Sequence, residues 1–453
     1  MLTKYKPSKY NIEIDLNGNQ KIVYNTLSNL FSLFEENDVI LYKKAVLKEP
    51  GTISLEEEAI LDNFLINNYL VPCDVDETSV FERQYKNTRN SNENMNLTIV
   101  PTLNCNFACD YCFEGSEKPK KAMSQDVQDS IFEMVKQNSE QLKSIKITWF
   151  GGEPMLGFNV IKNISDRIIP YADMKGIRYD SFLITNGFLL TKERVAELYV
   201  RRVKMFQITL DGWKEQHDKL RFVKETGQGS FETIIQNIKS YIDEFPIHTT
   251  LRINIDRRNK NEIVNLINYL SDAGLGNKRL SVYFAPIESS TSACRAISDI
   301  TLEKQEFAEL EFELYRHAHS KGLCQATLPF RMAGLCGATK PRGFVLVPNG
   351  DIHKCWETVS FPDKKIGTVK NNEFIIKELV EKWESWSPFN YEECRNCPIL
   401  PNCSGFCAYK FVYKSEFGGN RTAKPCPGLK YNIKEKLLHL AEQKRLIPPG
   451  CKV

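Results

Sequence analysis

Three cysteines on one short loop are the residues of this sequence best suited to chemistry. Cys105, Cys109 and Cys112 have the spacing C-x3-C-x2-C and directly follow a predicted strand at 97–100. Three thiolates on one loop can hold a [4Fe–4S] cluster and leave one iron open to a second molecule. A zinc site would need a fourth Cys or His, and none occurs in the next hundred residues. Buried thiols without a metal are the remaining alternative.

Seven further cysteines form a second field in the last third of the sequence. They include the run C-x2-C-x5-C-x3-C, and a Gly-x4-Cys pair precedes that run. Pairs of the C-x2-C type also suit zinc ribbons, so zinc is a competing interpretation. Gly, Pro and Cys become frequent after about residue 325, which predicts a region held together by metal rather than by a large apolar core. The seven are Cys336, Cys355, Cys394, Cys397, Cys403, Cys407 and Cys426.

The elements that must position the first loop alternate between strand and helix. Six alternations predict an α/β fold with a parallel sheet and right-handed crossovers. A partial barrel is the natural architecture, with its chemistry at the C-terminal ends of the strands. Strands are predicted at 97–100, 145–150, 179–185, 205–210, 249–255 and 280–285, and helices at 127–136, 192–199, 231–242 and 262–273 among others.

Polar motifs fall at the ends of these predicted strands. Gly-Gly-Glu-Pro at 151–154 follows the second strand, Thr-Asn-Gly at 185–187 ends the third, and Thr209 lies at the end of the fourth, with Arg221 further on. Each motif alone is also a common turn or a solvated charge.

The fifth predicted strand places two polar residues inward. Alternation puts Arg252 and Asn254 on one face of that strand, and an inward Arg in an apolar barrel needs a charged partner. No general base stands out, because Asp211, Asp256 and Glu288 all lie at plausible strand ends.

The N-terminal segment contains no cysteine before Cys73. Ile12, Ile14 and Leu16 alternate with polar residues, and a capping box at 54–57 opens a helix. A hairpin followed by helices predicts a winged-helix-like module over 1–75, whose strand edge could pair with an extended peptide. A packing appendage without a partner is the alternative. The polar stretch 76–95 is predicted to be a linker.

Composition limits the possible classes. The sequence has 453 residues and a net charge of +3, with 14 cysteines. The balanced charge does not favour a nucleic-acid partner. No run reaches 18 apolar residues, and the first residues lack the apolar core of a signal peptide, so we expect a cytoplasmic protein without a membrane span.

The first cysteine loop and the strand-end motifs together resemble the radical S-adenosylmethionine (SAM) superfamily. In that family the open iron holds SAM, whose reductive cleavage gives a 5′-deoxyadenosyl radical that takes a hydrogen from the substrate. The resemblance implies that Glu153 accepts a hydrogen bond from the SAM ammonium and that Tyr111 lies beside the adenine. The residues it assigns to SAM are Tyr111, Gly151, Gly152, Glu153, Asn186, Thr209 and Arg221.

The second cysteine field resembles the SPASM extension of radical SAM maturases. The resemblance implies two auxiliary [4Fe–4S] clusters, and therefore three clusters in all. It assigns Cys394, Cys397, Cys403 and Cys426 to a distal cluster, and Cys336, Cys355 and Cys407 to a proximal one. The fourth proximal ligand is either Cys324, which we favour, or a substrate thiolate on an open iron. Cys73, Cys294 and Cys451 are expected to be spare thiols.

The N-terminal pattern resembles the winged-helix peptide-recognition element of maturases of ribosomally made peptides (RiPPs). The whole chain is thus expected to comprise a leader-peptide recognition domain (1–75), the linker (76–95), a radical SAM partial barrel (96–323), a SPASM domain (324–430) and a C-terminal helix and tail (431–453). A leader peptide is expected to dock near residues 10–25.

The resemblance implies a reaction and its partners. We expect an oxidative crosslink in a precursor peptide, most simply a Cys thioether as in sactipeptide and ranthipeptide synthases. An electron donor such as flavodoxin or ferredoxin is implied. The alternatives are a carbon–carbon crosslink, a sulfatase-type formylglycine maturase, and an iron–sulfur or zinc scaffold without catalysis.

Overall fold

The computed structural model describes residues 2–16, 19–50, 52–115, 119–289, 297–332, 335–370, 376–414 and 426–450. The strands are β1 (Tyr5–Pro7), β2 (Asn11–Asp15), β3 (Lys21–Asn25), β4 (Leu30–Phe34), β5 (Leu70–Pro72), β6 (Asn94–Ile99), β7 (Ser144–Trp149), β8 (Arg178–Thr185), β9 (Val203–Leu210), β10 (His248–Ile255), β11 (Leu280–Pro286), β12 (Gly343–Leu346), β13 (Asp351–His353) and β14 (Gly367–Thr368).

The helices connect and cover these strands. They are α1 (Glu36–Val46), α2 (Leu55–Ile66), α3 (Glu77–Arg89), α4 (Gln125–Gln137), α5 (Phe158–Met174), α6 (Lys192–Val200), α7 (Lys214–Leu220), α8 (Phe231–Tyr241), α9 (Ile263–Asp272), α10 (Lys304–Ser320), α11 (Lys377–Glu384), α12 (Glu392–Arg395), α13 (Leu400–Cys403), α14 (Ala408–Val412) and α15 (Leu429–Gln443). None of the described helices is both long enough and apolar enough to cross a membrane.

Six parallel strands form the centre of the molecule. The order β11-β10-β9-β8-β7-β6 places each strand beside the next one in the chain, and helices α4 to α9 fill the crossovers. One face of each helix is apolar, as in α8, where Ile234, Ile235 and Ile238 are buried. The predicted α/β fold, a partial (β/α)6 barrel, is confirmed, and the six predicted strands all occur.

The cysteine-rich region extends this sheet rather than standing apart from it. β12 pairs in parallel with β6, and β13 and β14 continue the same sheet. A small aromatic core that includes Trp383, Trp386, Tyr409 and Tyr413 also lies in this region. Strand pairing and this aromatic core therefore also hold the region together. The sequence predicted cohesion through metal alone, because its hydrophobic periodicity is lost there.

The N-terminal module is a three-stranded antiparallel sheet, β2-β3-β4, with helices α1 and α2. Val23 and Phe34 face those helices. Ile12 and Ile14, which alternate as predicted, face α15 and contact the cluster that contains Ile433. Both faces of this sheet are therefore covered, one of them by the C-terminal region.

The prediction of a linker at 76–95 is wrong. Residues 77–89 form α3, and β6 already begins at Asn94. Phe81 and Tyr85 of α3 each pack on Phe389, with ring centroids 5.5 and 5.4 Å apart. Arg89 donates to the carbonyl of Trp386 at 2.7 Å. The helix thus joins the N-terminal module to the cysteine-rich region.

Candidate active site

One large cavity opens on the inner face of the six-stranded sheet. Its volume is about 980 Å³. It is lined by the cysteines of the first loop and by three cysteines of the second field, namely Cys105, Cys109, Cys112, Cys336, Cys355 and Cys407. The structure therefore brings the two predicted reactive sets to one space.

The first cysteine loop lies directly against the Gly-Gly pair that follows β7. A Cβ on Gly152 would be 2.2 Å from the carbonyl oxygen of Leu103 and 2.3 Å from that of Asn104. A Cβ on Gly151, whose φ is +131°, would be 2.6 Å from the carbonyl oxygen of Thr102. These glycines line the cavity, and their lack of a side chain is what lets the cysteine loop approach the sheet.

Backbone and side-chain hydrogen bonds hold the shape of this loop. The amide of Phe107 donates to the Cys105 sulfur at 3.4 Å, a contact of the kind that tunes iron–sulfur ligands. The Asn186 side chain donates to Asn106 at 2.8 Å, tying the end of β8 to the loop. Three half-buried thiols with an amide aimed at a sulfur fit the donor set of a [4Fe–4S] cluster. Among the described residues, no group of three Cys, His, Asp or Glu side chains is placed to bind a single metal ion, so the fit to a cluster rests on the type of the three side chains and on the loop amide.

A buried polar network lies beside the cysteine loop. Tyr111 donates to Asp211 at 2.5 Å, and Arg221 donates to the Tyr111 hydroxyl at 2.6 Å. Asn254 donates to Asp211 at 3.3 Å, and Arg221 and Asp211 are 4.0 Å apart. Burial raises the pKa of Asp211, and the charge of Arg221 opposes that rise. Tyr111 and Arg221 line the cavity together.

Arg221 also lies next to the cysteine loop itself. Burial raises the pKa of the Cys109 thiol, and Arg221 is the largest opposing influence. The guanidinium is 5.6 Å from the centroid of the Phe107 ring. A cation in this position favours thiolate and any carboxylate bound at the loop.

Glu153 does not face the cavity. Its carboxylate is fully buried and accepts hydrogen bonds from the amide of Met155 at 2.9 Å, the hydroxyl of Thr185 at 2.7 Å and the amide of Asn186 at 2.8 Å. Burial raises its pKa, and these three bonds oppose the rise. The carboxylate joins the ends of β7 and β8, and its contact with the SAM ammonium stays a prediction.

The remaining residues assigned to SAM are distributed along the cavity wall. Thr209 and Asn186 line the cavity, and the Asn186 carbonyl oxygen of the side chain accepts from the amide of Phe188 at 3.0 Å. Thr209 lies beside Arg252 in the register of β9 and β10.

Each of the three general-base candidates has a protein partner. Asp211 belongs to the Tyr111 network. Asp256 is fully buried and 2.7 Å from Arg258, which also reaches Asp110 of the cysteine loop at 2.5 Å. Glu288 is 2.6 Å from Lys410. None of them is therefore distinguished as a proton acceptor for a substrate.

The proximal cysteines Cys336, Cys355 and Cys407 all line the cavity. Burial raises the pKa of all three thiols. Cys336 and Cys407 lie near enough to Cys355 to raise the pKa of its thiol further, by a smaller amount. The negative charge of Glu357 also raises the pKa of both Cys355 and Cys407. Backbone amides of residues 338, 339 and 408 approach the Cys336 sulfur.

Four cysteines form a separate group away from the cavity. Burial raises the pKa of Cys403 to about 12, with further contributions from Cys426, Cys397 and Cys394. Lys430 donates to the Cys426 sulfur at 3.8 Å. The structure thus gathers the four residues that the resemblance assigns to a distal cluster.

Cys324 is not brought to the proximal cysteines. Its thiol contacts the carbonyl of Tyr315 at 3.6 Å and lies in the field of Lys436 and Glu311, on α15 and α10. It does not line the cavity with Cys336 and its partners. The preference for Cys324 as the fourth ligand is therefore not supported by its position.

The other cysteines expected to be spare take no part in the site as described. Cys73 is exposed, and Cys294 and Cys451 lie outside the described residues.

Some residues of the site had no signal in the sequence. Lys354 is buried, lines the cavity and donates to the carbonyl of Lys340 at 2.6 Å. Burial lowers its pKa to about 8, and Glu384 and Cys336 oppose that fall. Asn106 and the Asp110–Arg258 pair were also missed, although their position inside or opposite the cysteine loop was the available clue.

Comparison with known families identifies the barrel. Residues 99–270 match the model of the Radical SAM superfamily. The chain therefore contains a radical SAM domain, and the protein is an enzyme.

Two curated relatives share parts of the sequence. A serine-type anaerobic sulfatase-maturating enzyme of Bacteroides thetaiotaomicron is 25% identical over 73% of this chain and 84% of its own length. A probable GTP 3′,8-cyclase of Saccharolobus islandicus is 28% identical over 47% of this chain, and the match spans 64% of that protein.

Two solved structures share the fold. A structure of anSMEcpe with bound AdoMet has a TM-score of 0.58 and 16% identity, covering 78% of this chain and 98% of that one. A structure of Streptococcus suis SuiB bound to the precursor peptide SuiA has a TM-score of 0.52 and 16% identity, covering 90% and 96%.

Proposed function

We propose that this protein is a radical SAM maturase that forms an oxidative crosslink within a peptide, most simply a thioether from a Cys sulfur to a carbon of another residue. Such a reaction forms one S–C bond and removes two hydrogens. One leaves as a hydrogen atom from carbon and the other as a thiol proton, and one electron must be accepted.

The observation that carries this proposal is the shared cavity. Cys105, Cys109 and Cys112 line it on one side, and Cys336, Cys355 and Cys407 line the same space. A site for making a substrate radical and a site for receiving the surplus electron therefore meet around one substrate. A methylation or an isomerisation would not need the second set.

The chain's own residues would hold the cofactors and the substrate. When bound, SAM and its cluster would supply a 5′-deoxyadenosyl radical, and auxiliary clusters would supply an electron acceptor. The three thiols at 105–112 would hold the first cluster. Arg221, next to Cys109, would meet the SAM carboxylate with a charge-assisted hydrogen bond. Tyr111 would be kept in place by Asp211.

The auxiliary ligand sets are part of the same proposal. Cys394, Cys397, Cys403 and Cys426 would hold a distal cluster, giving three [4Fe–4S] clusters in all. The proximal set has three cysteines that line the same cavity, whereas Cys324 does not line it and contacts Tyr315 instead. We therefore assign the fourth proximal position to a substrate thiolate, the alternative that the sequence left open.

A peptide substrate is supported by the fold it shares with SuiB, whose structure contains its precursor peptide. The N-terminal module would bind the leader. β3 (residues 21–25) lies between β2 and β4, so its edges are already paired. An added strand would therefore have to join β2, which lies inside the expected docking region near residues 10–25, or β4 (residues 30–34), which lies beyond it.

A sulfatase-type maturase is the second candidate. The relative from Bacteroides thetaiotaomicron carries that description at 25% identity. The anSMEcpe fold covers 78% of this chain, whereas that of SuiB covers 90%. The larger coverage favours a peptide enzyme with a leader.

The decisive experiment is mass spectrometry of a co-expressed precursor peptide after its thiols are alkylated. A loss of two hydrogens with one thiol unreactive supports a thioether, whereas the same loss with every thiol alkylated supports a carbon–carbon bond. Conversion of a Cys or Ser in a sulfatase peptide to formylglycine would support the second candidate.

The role of the N-terminal module is best tested by shortening the peptide. Deleting residues 1–75 would also remove Ile12 and Ile14 from a core shared with α15, so loss of activity would not be specific. Modification of the full precursor but not of its leaderless core would support the docking role. Equal modification of both would contradict it.

A further inference from the structure

The cations of the inner cavity wall differ in their partners. Arg221 lies 4.0 Å from Asp211, and Lys410 lies 2.6 Å from Glu288. Lys354 is 3.7 Å from Glu384. A carboxylate of the protein therefore balances each of these three charges.

Among the described residues, Arg252 has no such counter-charge. Its side chain is half-buried and lines the cavity. Every partner that the described residues give it is neutral. Nε donates to Asn254 at 2.8 Å, Nη1 donates to the Tyr283 hydroxyl at 3.1 Å, and the guanidinium lies 5.7 Å from the centroid of the Tyr283 ring.

These contacts hold the guanidinium in place and leave some of its N–H donors unused. The Tyr283 hydroxyl donates a hydrogen bond to the side-chain oxygen of Gln207 at 3.2 Å, so the support is itself anchored on β9. A guanidinium carries five N–H donors, and the described residues use two of them. A partly buried cation that is rigidly held and has donors to spare is suited to a planar anion such as a carboxylate.

The position of Arg252 separates it from the expected SAM carboxylate. Its Nε donates to Asn254, and Asn254 in turn donates to the Tyr111 hydroxyl, so one side chain stands between Arg252 and the Tyr111 network. Arg221, and not Arg252, contributes to the field at Cys109. A ligand of Arg252 would thus lie beside the SAM site and not on its cluster.

We propose that Arg252, supported by Tyr283 and Asn254, is a carboxylate-binding subsite that selects an acidic group on the peptide substrate. The group is either an Asp or Glu side chain or a free C-terminal carboxylate, which share the same chemistry. The inference rests on the proposed function only in that the ligand is a peptide.

The test uses the reconstituted, anaerobic holoenzyme with saturating SAM, so that Arg221 is occupied. The probes are equimolar synthetic peptides of one neutral, Cys-containing sequence in three forms. One is amidated and has no acid, one is amidated and has a single Asp or Glu, and one has no acid but a free C-terminus. The retained fraction of each is measured by ultrafiltration and mass spectrometry.

We expect wild type to retain at least one acidic form about tenfold more than the neutral form, the value of a charge-assisted hydrogen bond. Preference for the second or the third form identifies the source of the carboxylate. Arg252→Gln should remove the preference and leave neutral retention intact, a pattern that general misfolding would not give. Arg252→Lys should keep part of it, because an ammonium cannot form a bidentate pair.

The matched control is Arg257→Gln, which makes the same charge change just beyond β10. Arg257 is exposed, pairs with Glu306 at 3.0 Å and does not line the cavity. It should keep the acidic preference.

Equal retention of all three forms by wild type, or an unchanged preference in Arg252→Gln, would overturn the subsite. An enzyme that crosslinks its peptide but shows no acidic preference refutes the subsite alone. An enzyme that retains acidic peptides through Arg252 but modifies none refutes the proposed function alone.

Discussion

Replacing Glu153 by Gln distinguishes two roles for this carboxylate. The structure makes Glu153 a tie between the ends of β7 and β8, with three donors converging on its oxygens. The expectation from the sequence made it a ligand of the SAM ammonium. The substitution keeps the size of the side chain but removes the charge and turns one acceptor into a donor.

The expected loss of stability follows from those three bonds. Hydrogen bonds to a charged group contribute about 1.5–3 kcal/mol and neutral ones about 1 kcal/mol. The bonds from Met155 and Thr185 can survive in neutral form, but the amide of Asn186 would face the new NH2 group. Allowing for relief of the buried charge, we expect a cost of about 3 kcal/mol. For a barrel of this size, that corresponds to a fall in Tm of roughly 6–12 °C.

The assay is a thermal melt of the anaerobic holoenzyme together with the KM for SAM in 5′-deoxyadenosine formation, normalised to bound iron. We expect a lower Tm and a KM within threefold of wild type. Glu140→Gln, a substitution on an exposed turn before β7, should change neither. An unchanged Tm with a KM raised tenfold or more would refute the structural role and restore the contact with SAM.

Three further outcomes are expected. Gly152→Ala should abolish cluster retention at 105–112, because its Cβ would be 2.2 Å from a carbonyl oxygen of that loop; full iron content in the purified variant would contradict this. Cys324→Ser should leave the iron content unchanged, whereas Cys407→Ser should lower it by up to one cluster, as measured by iron analysis and absorbance; equal losses would return Cys324 to the ligand set. Burial holds the pKa of His217 well below 6.5 in the folded state, so the unfolded state takes up the proton first and stability falls as the pH drops below 6.5. We expect about 1.4 kcal/mol of loss by pH 5.5 from this residue, and His217→Gln should flatten that part of the pH profile of Tm.

The sequence predicted the barrel well because its signals are local. All six strands were found, since continuous apolar runs and intervening helix patterns do not depend on distant contacts. Helix α3 was missed because its sequence is mostly polar. It packs on Phe389, and the local signals were the N-cap residue Asp76 and the i, i+4 pair of Phe81 and Tyr85.

The sequence indicated which cysteines belong to the candidate site, but not how the residues around them are oriented. Spacing along the chain predicted both cysteine sets, yet it could not place Cys324, whose thiol turns back onto the carbonyl of Tyr315 on α10. The strand-end motif located Glu153 correctly. Which way its carboxylate faces depends on Thr185 and Asn186, residues more than thirty positions away, so spacing alone could not decide it.

The parallel pairing of β12 with β6 has a mechanical consequence. The first cysteine loop leaves the end of β6, and the segment that carries Cys336 and Cys355 brackets β12. Hydrogen bonds between β6 and β12 hold these two strands side by side, so we expect that the two cysteine sets do not move apart as separate lobes. Under the proposed function, the distance for electron transfer between the two cysteine sets would then stay constant through a turnover, and a peptide would enter over the rim of the cavity.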